Sequence, residues 1–125
     1  MVYDRKKPFG TEQARPADRK VTLRDEKRAD GSHLSLWSYL DAEGRLHIDG
    51  QDLGPVTKSI SPDGEYEYFK TVAKEDIPRL VKVLGGKPGD DILDLLAKNW
   101  TGEKSYLLEN TLRESQIRVA FSSYC

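Results

Sequence analysis

Cysteine is almost missing from this chain: among 125 residues only Cys125, the last, is one. No intramolecular disulfide can form and no thiolate cage can hold a metal, so an oxidising compartment is not required and a cytoplasmic location is expected. Long apolar runs are missing as well. No segment approaches the ~20 consecutive apolar residues of a membrane span, and residues 1–20 lack the apolar stretch of a secretory signal, so no membrane partner is expected. Charge of one sign is missing too, since 20 Lys plus Arg stand against 21 Asp plus Glu for a net charge of -1. That balance removes the general electrostatic drive toward nucleic acid. With only two histidines, His33 and His47, imidazole chemistry is also scarce.

What is present is the composition of one lean globular domain, 37% hydrophobic and 33% charged. A chain of this length buries roughly two thirds of its unfolded surface in one core. Residues 1–20 differ from the rest, with six basic groups against three acidic ones, two prolines and little apolar content. They read as a flexible basic arm, and residues 21–125 as a single α+β domain.

The stretch Leu34 to Gly54 spells a β-hairpin. Asp41 and Arg45 flank Ala42-Glu43-Gly44, a three-residue loop in which Gly44 supplies the left-handed conformation of a type I turn with a G1 bulge. The register follows from that turn. Leu40 faces Leu46, Ser38 faces Ile48 and Leu36 faces Gly50 on an aliphatic side; Asp41/Arg45, Tyr39/His47 and Trp37/Asp49 pair on the other. Val21 to Glu26 alternates as a first strand, with Val21 and Leu23 against Thr22 and Arg24. Beyond Gly54-Pro55 the prolines and Asp63-Gly64 predict an irregular connection, with a short strand at Val56 to Ile60. Glu65 to Val72 is extended again, and its two sides (Tyr66, Tyr68, Lys70, Val72 against Glu67, Phe69, Thr71) are too evenly matched to say which is buried.

From Lys74 the period changes to about 3.6, and Ile77, Leu80, Val81 and Leu84 mark a helix closed by Gly85-Gly86. Asp90 is the expected cap of a second helix that buries Ile92, Leu93, Leu95 and Leu96. A third helix runs from Lys104 or Ser105 to Glu114 and is expected to bury Leu107, Leu108 and Leu112. Ile117, Val119 and Phe121 then alternate as a last strand. This order predicts an α+β fold, a mostly antiparallel sheet of four to five strands with about three helices packed on one face.

Few constellations could carry chemistry. His47 and Asp49 share a strand face, but with His33 and Asp52 they fall short of a zinc ligand set, so no metal or other cofactor is expected. Ser38 lies on the aliphatic side, away from His47, which leaves no nucleophile beside a base. Gly85-Gly86-Lys87-Pro88-Gly89 follows a helix and lacks the strand and ending of a phosphate loop. Gly50-Gln51-Asp52-Leu53-Gly54-Pro55 is explained by a bulge at Gly50 and by Asp52 tying up loop backbone groups.

The aromatic residues remain. With Tyr66 and Tyr68 placed beside Trp37 and Tyr39, and Asp41, His47 and Asp49 among or around them, the sheet would offer hot-spot side chains in a broad patch with an acidic edge. The expected function is therefore non-enzymatic binding of a protein partner through Trp37, Tyr39, Asp41, His47, Asp49, Tyr66 and Tyr68, an immunity-type inhibitor being one such protein. The rival is a small-molecule site or enzyme using His47, Asp49, Gln51 and Asp52 at the hairpin end. A homo-oligomer is compatible with either.

Gly50-Gln51-Asp52-Leu53-Gly54, then Glu65-Tyr66-Glu67-Tyr68, Thr71-Val72, Asp76-Ile77-Pro78 and Leu80, resembles a group of small bacterial proteins of uncharacterised function. The likeness spans about residues 34–98. It implies a compact bacterial domain of strand-then-helix order, and it brings no activity or catalytic residue.

Overall fold

The computed structural model describes residues 19–61 and 63–124. Among these residues five strands, β1 (Lys20–Lys27), β2 (His33–Leu40), β3 (Leu46–Leu53), β4 (Glu65–Val72) and β5 (Val119–Tyr124), form one sheet in the order of the sequence. Every neighbouring pair is antiparallel. Between β4 and β5 the chain makes α1 (Ile77–Val83), α2 (Ile92–Asn99) and α3 (Lys104–Glu114), which pack on one face. The expected α+β class is the observed one.

The hairpin is built as its turn demands. Gly44 has φ 82 and donates to the Asp41 carbonyl at 2.9 Å, and Asp41 donates to the Arg45 carbonyl at 3.0 Å. Tyr39 then meets His47, Trp37 meets Asp49 and Leu36 meets Gly50. Gly50 sits in regular register, so the expected bulge is not there. The bulge is in β1 instead, where Thr22 pairs with Trp37 and Arg24 with Leu36, leaving Leu23 over. Its consequence is that Leu23 and Arg24 both turn toward the helices, and the Leu23 carbonyl accepts from Gly102 N at 2.9 Å, just before α3.

The core lies between this face and the helices. Leu23, Leu36, Leu46, Ile48 and Val72 from the sheet meet Leu80, Val81, Leu84, Ile92, Leu96, Leu108 and Leu112, all buried. Each such side chain contributes about 1.5–3 kcal/mol of transfer free energy, which is why helices this short persist. Asp91, rather than Asp90, caps α2 by accepting from Asp94 N at 2.8 Å, and Asp90 closes the preceding turn by accepting from Lys87 N at 2.7 Å. Val56 to Ile60, expected as a short strand, instead runs through a 3-10 turn at Pro55–Thr57 and a further turn at 58–60, with Thr57 Oγ1 donating to the Gly54 carbonyl at 2.9 Å. Leu107, expected in the core, is 53% exposed because the buried side of α3 runs through Ser105, Leu108 and Leu112.

One polar network is enclosed on the helix side. Arg24 is 4% exposed and donates to Ser105 Oγ and to Glu109 Oε1, both at 2.9 Å, while its guanidinium lies 3.6 Å from the Tyr106 ring centroid. Lys70 Nζ reaches the other oxygen of Glu109 at 3.1 Å. Burial works against the guanidinium, but the Glu109 carboxylate more than offsets it and holds the Arg24 pKa above its ordinary value. Where the helices stop short of β5, Lys70, Glu109, Leu112, Arg113, Ile117, Val119 and Phe121 line a groove of about 430 Å³.

The expected arm at residues 1–20 falls mostly outside the described residues. Its last two members belong to the fold: Lys20 opens β1, and Arg19 pairs with Asp91 at 2.8 Å and Asp94 at 3.1 Å. Among the described residues no helix is long and apolar enough to cross a membrane.

Candidate functional site

The strand registers lay the face opposite the helices out as a grid. One rung carries Lys20, Tyr39, His47, Thr71 and Ala120; the next Thr22, Trp37, Asp49, Phe69 and Ser122; the next Asp25, Ser35, Gln51, Glu67 and Tyr124. A fourth rung holds Lys27, His33, Leu53 and Glu65. Of the residues singled out by the sequence, Trp37, Tyr39, His47, Asp49 and Gln51 are brought together here. Asp41 stands at the hairpin end and joins them through His47.

Tyr66, Tyr68 and Asp52 are not on this face. Tyr68 pairs with Gly50 and Tyr66 with Asp52, both on the helix side, where the two tyrosine rings stack 5.4 Å apart. The physical reason is the vacancy at Gly50, which only the helix-side rung offers to a ring: a β-carbon on Gly50 would lie 2.2 Å from Tyr68 Cζ. Buried there, the Tyr68 hydroxyl has its pKa raised by desolvation and by Glu109. The same parity brings Phe69 to the face beside Asp49, and Tyr124 from β5 meets Phe69 edge-on with ring centroids 5.8 Å apart. The residues alone do not place these two rings, because the two sides of β4 are evenly matched and no tight turn sets the register of β5.

The site is organised around stacked and paired groups. Tyr39 and His47 lie parallel, centroids 4.6 Å apart and planes within 3°. His47 Nε2 is 2.8 Å from Asp41 Oδ2, whose carboxylate also accepts from Arg45 Nε at 2.8 Å and from the Glu43 and Arg45 backbone N-H groups at 2.9 and 3.0 Å. Partial burial tends to raise the Asp41 pKa, but these hydrogen bonds outweigh it and hold the carboxyl below the ordinary range. Lys20 Nζ rests 4.9 Å from the Trp37 ring centroid. At the far end His33 Nε2 lies 2.6 Å from Asp25 Oδ1, and Gln51 Nε2 lies 3.3 Å from both Glu65 and Glu67.

Two carboxylate oxygens, Asp49 Oδ1 on this face and Asp52 Oδ1 on the helix side, are buried without a hydrogen-bond partner among the described residues, so the expected ties from Asp52 to the loop backbone are not made through that oxygen. Set between Trp37 and Phe69, Asp49 is 6% exposed, and its Oδ1 has no hydrogen-bond partner among the described residues. Desolvation raises its pKa to about 6, against the lowering pull of His47, a hydrogen bond with Tyr39 and the more distant Lys20.

Ser38 Oγ donates to the His47 carbonyl at 2.7 Å from the buried side, so the hydroxyl never meets the imidazole. His33 and His47 are each paired with a different carboxylate, and no group of three or more His, Cys, Asp or Glu among the described residues is placed to hold a metal ion. A depression of about 400 Å³ beside Trp37 is lined by Lys20, Thr22, Arg24, Asp25, His33, Ser35, Leu36 and Gln51, with neither His47 nor Asp49 in its wall. No family model, no curated protein and no solved structure matches this chain.

Proposed function

We propose that this protein is a non-enzymatic interaction module that binds a protein partner through the open face of its sheet, in the manner of an immunity-type inhibitor. The observation that carries this reading is Asp49, a nearly buried carboxylate whose Oδ1 has no partner among the described residues, held between Trp37 and Phe69 at the middle of the face. A carboxylate kept from water without full compensation costs a fold stability, and such residues concentrate where a surface serves something other than folding.

The surroundings support it. Trp37, Tyr39, His47 and Phe69 are part-buried against their neighbours, so their rings lose little further freedom on docking. Tyr and Trp are the side chains that anchor interfaces, and all three helices pack on the other side of the sheet. The small-molecule reading keeps His47, Asp49 and Gln51 on one face but loses Asp52, which faces the helices.

The test is affinity capture with the immobilised chain, followed by titration of the captured protein against wild type and the double variant Trp37→Ala/Tyr39→Ala. If the face is the interface, the double variant binds about 30-fold more weakly or worse, a loss beyond about 2 kcal/mol. Leu107→Ala, on the helix side, leaves binding unchanged. Equal affinity of the double variant and wild type overturns the reading.

A further inference from the structure

The two edges of the sheet are guarded very differently. Among the described residues β1 and β5 are the outermost strands. β1 carries Lys20, Arg24, Asp25, Glu26 and Lys27 together with the bulge at Leu23, the devices that stop an edge from pairing further. β5 has none of them. Val119-Ala120-Phe121-Ser122-Ser123-Tyr124 contains no charge, no proline and no glycine, and it keeps an unbroken register with β4. Residues 120–124 are all exposed, Phe121 at 57% and Tyr124 at 66%.

We propose that β5 pairs antiparallel with β5 of a second copy of this chain, joining two sheets into one. The strand is self-complementary about Ser122. With Ser122 opposite its own copy, Phe121 falls opposite Ser123 and Tyr124 opposite Ala120, so each large ring meets a small side chain and no like charges meet. Centring the pair on Phe121 instead sets the two phenylalanines against each other and leaves Tyr124 beyond the paired segment. The two-fold axis stands normal to the sheet, so the open faces of both copies point the same way. On the helix side the uncovered Phe121 of each copy gains a neighbour beside the groove at Lys70 and Glu109. This contact uses the edge and not the face, and so stands or falls separately from the partner-binding reading.

Two short strands bury less than a standard interface, and the dimer is expected to dissociate in the micromolar range. Sedimentation equilibrium over a concentration series reads it. Ser122→Lys, which sets two ammonium groups against each other, should weaken the dimer at least about tenfold, while Thr22→Lys on the opposite edge should leave it unchanged. In a Cys125→Ser background, Ser122→Cys should cross-link under mild oxidation, whereas Ala120→Cys, far from its own copy, should not. A chain that stays monomeric throughout the series overturns the proposal. So does a dimer indifferent to Ser122→Lys, or equal cross-linking at both positions.

Discussion

The ring of Tyr68 occupies the space that a side chain at Gly50 would need, with 2.2 Å between an added β-carbon and Tyr68 Cζ. Such a distance cannot be accommodated without moving the ring or parting β3 from β4. Gly50→Ala should therefore cost more than about 2 kcal/mol in denaturant unfolding. In a Tyr68→Ala background the same change should cost less than about 0.5 kcal/mol, because the space is then open and alanine suits a strand better than glycine. A cost that is the same in both backgrounds would refute the packing account.

Asp49 predicts an unusual pH dependence. Its folded pKa is about 6, above the ~3.9 of an unfolded aspartate, so the folded state holds the proton more tightly. The stabilisation from its neutral form is full below about pH 4, falls as pH rises through about 6, and is gone above that. Asp49→Asn, neutral at all pH, should match wild type near pH 4 and exceed it by about 2–3 kcal/mol at pH 7.5. Parallel stability curves for the two proteins across that range would show that Asp49 ionises without penalty.

Among the described residues Glu109 is the carboxylate that pairs with both Arg24 and Lys70. Glu109→Gln leaves two enclosed cations uncompensated and should cost about 2–4 kcal/mol. Lys70→Met should cost less than about 1 kcal/mol, since it removes one cation from a carboxylate that keeps the other. The ordering of the two in chemical denaturation is the check, and the reverse ordering would place the weight on Lys70.

Asp41 holds the hairpin turn through four hydrogen bonds, two of them to backbone N-H groups. Asp41→Ala should destabilise by about 1–2 kcal/mol. Its lowered pKa means that this contribution is present at neutral pH and lost as pH falls through the acidic range, opposite in sense to Asp49. Amide exchange at Glu43 and Arg45 should quicken first in the variant.

How much of this was legible in the residues depends on what pins each strand. The Asp41 to Arg45 loop has one comfortable conformation, so every pair from Leu40/Leu46 back to Leu36/Gly50 could be read from it, and the site at Trp37, Tyr39, His47 and Asp49 came with them. β4 has no such turn. Its two sides are equally mixed, and what decides between them is the empty position at Gly50, a contact across strands that no pattern within β4 contains. Arg24 was hidden for another reason: the bulge at Leu23 carries no glycine or other local mark, and it reverses the alternation on which the reading of β1 rested. Asp90 and Asp91 are equally good caps in sequence, and the choice is made by where Ile92 must be buried.

The order of the elements also has a kinetic meaning. β1 to β4 follow one another through short connections, and their pairing needs only local loop closure. β5 must instead find β4 across residues 73–118, which include the three helices. The strand with the least guarded edge is thus expected to be the last to join the sheet and the first to leave it. In the monomer, opening of β5 alone would expose the β4 edge without unfolding the hairpin, and native-state hydrogen exchange at concentrations too low for pairing of two copies should find Val119 to Tyr124 among the earliest amides to exchange.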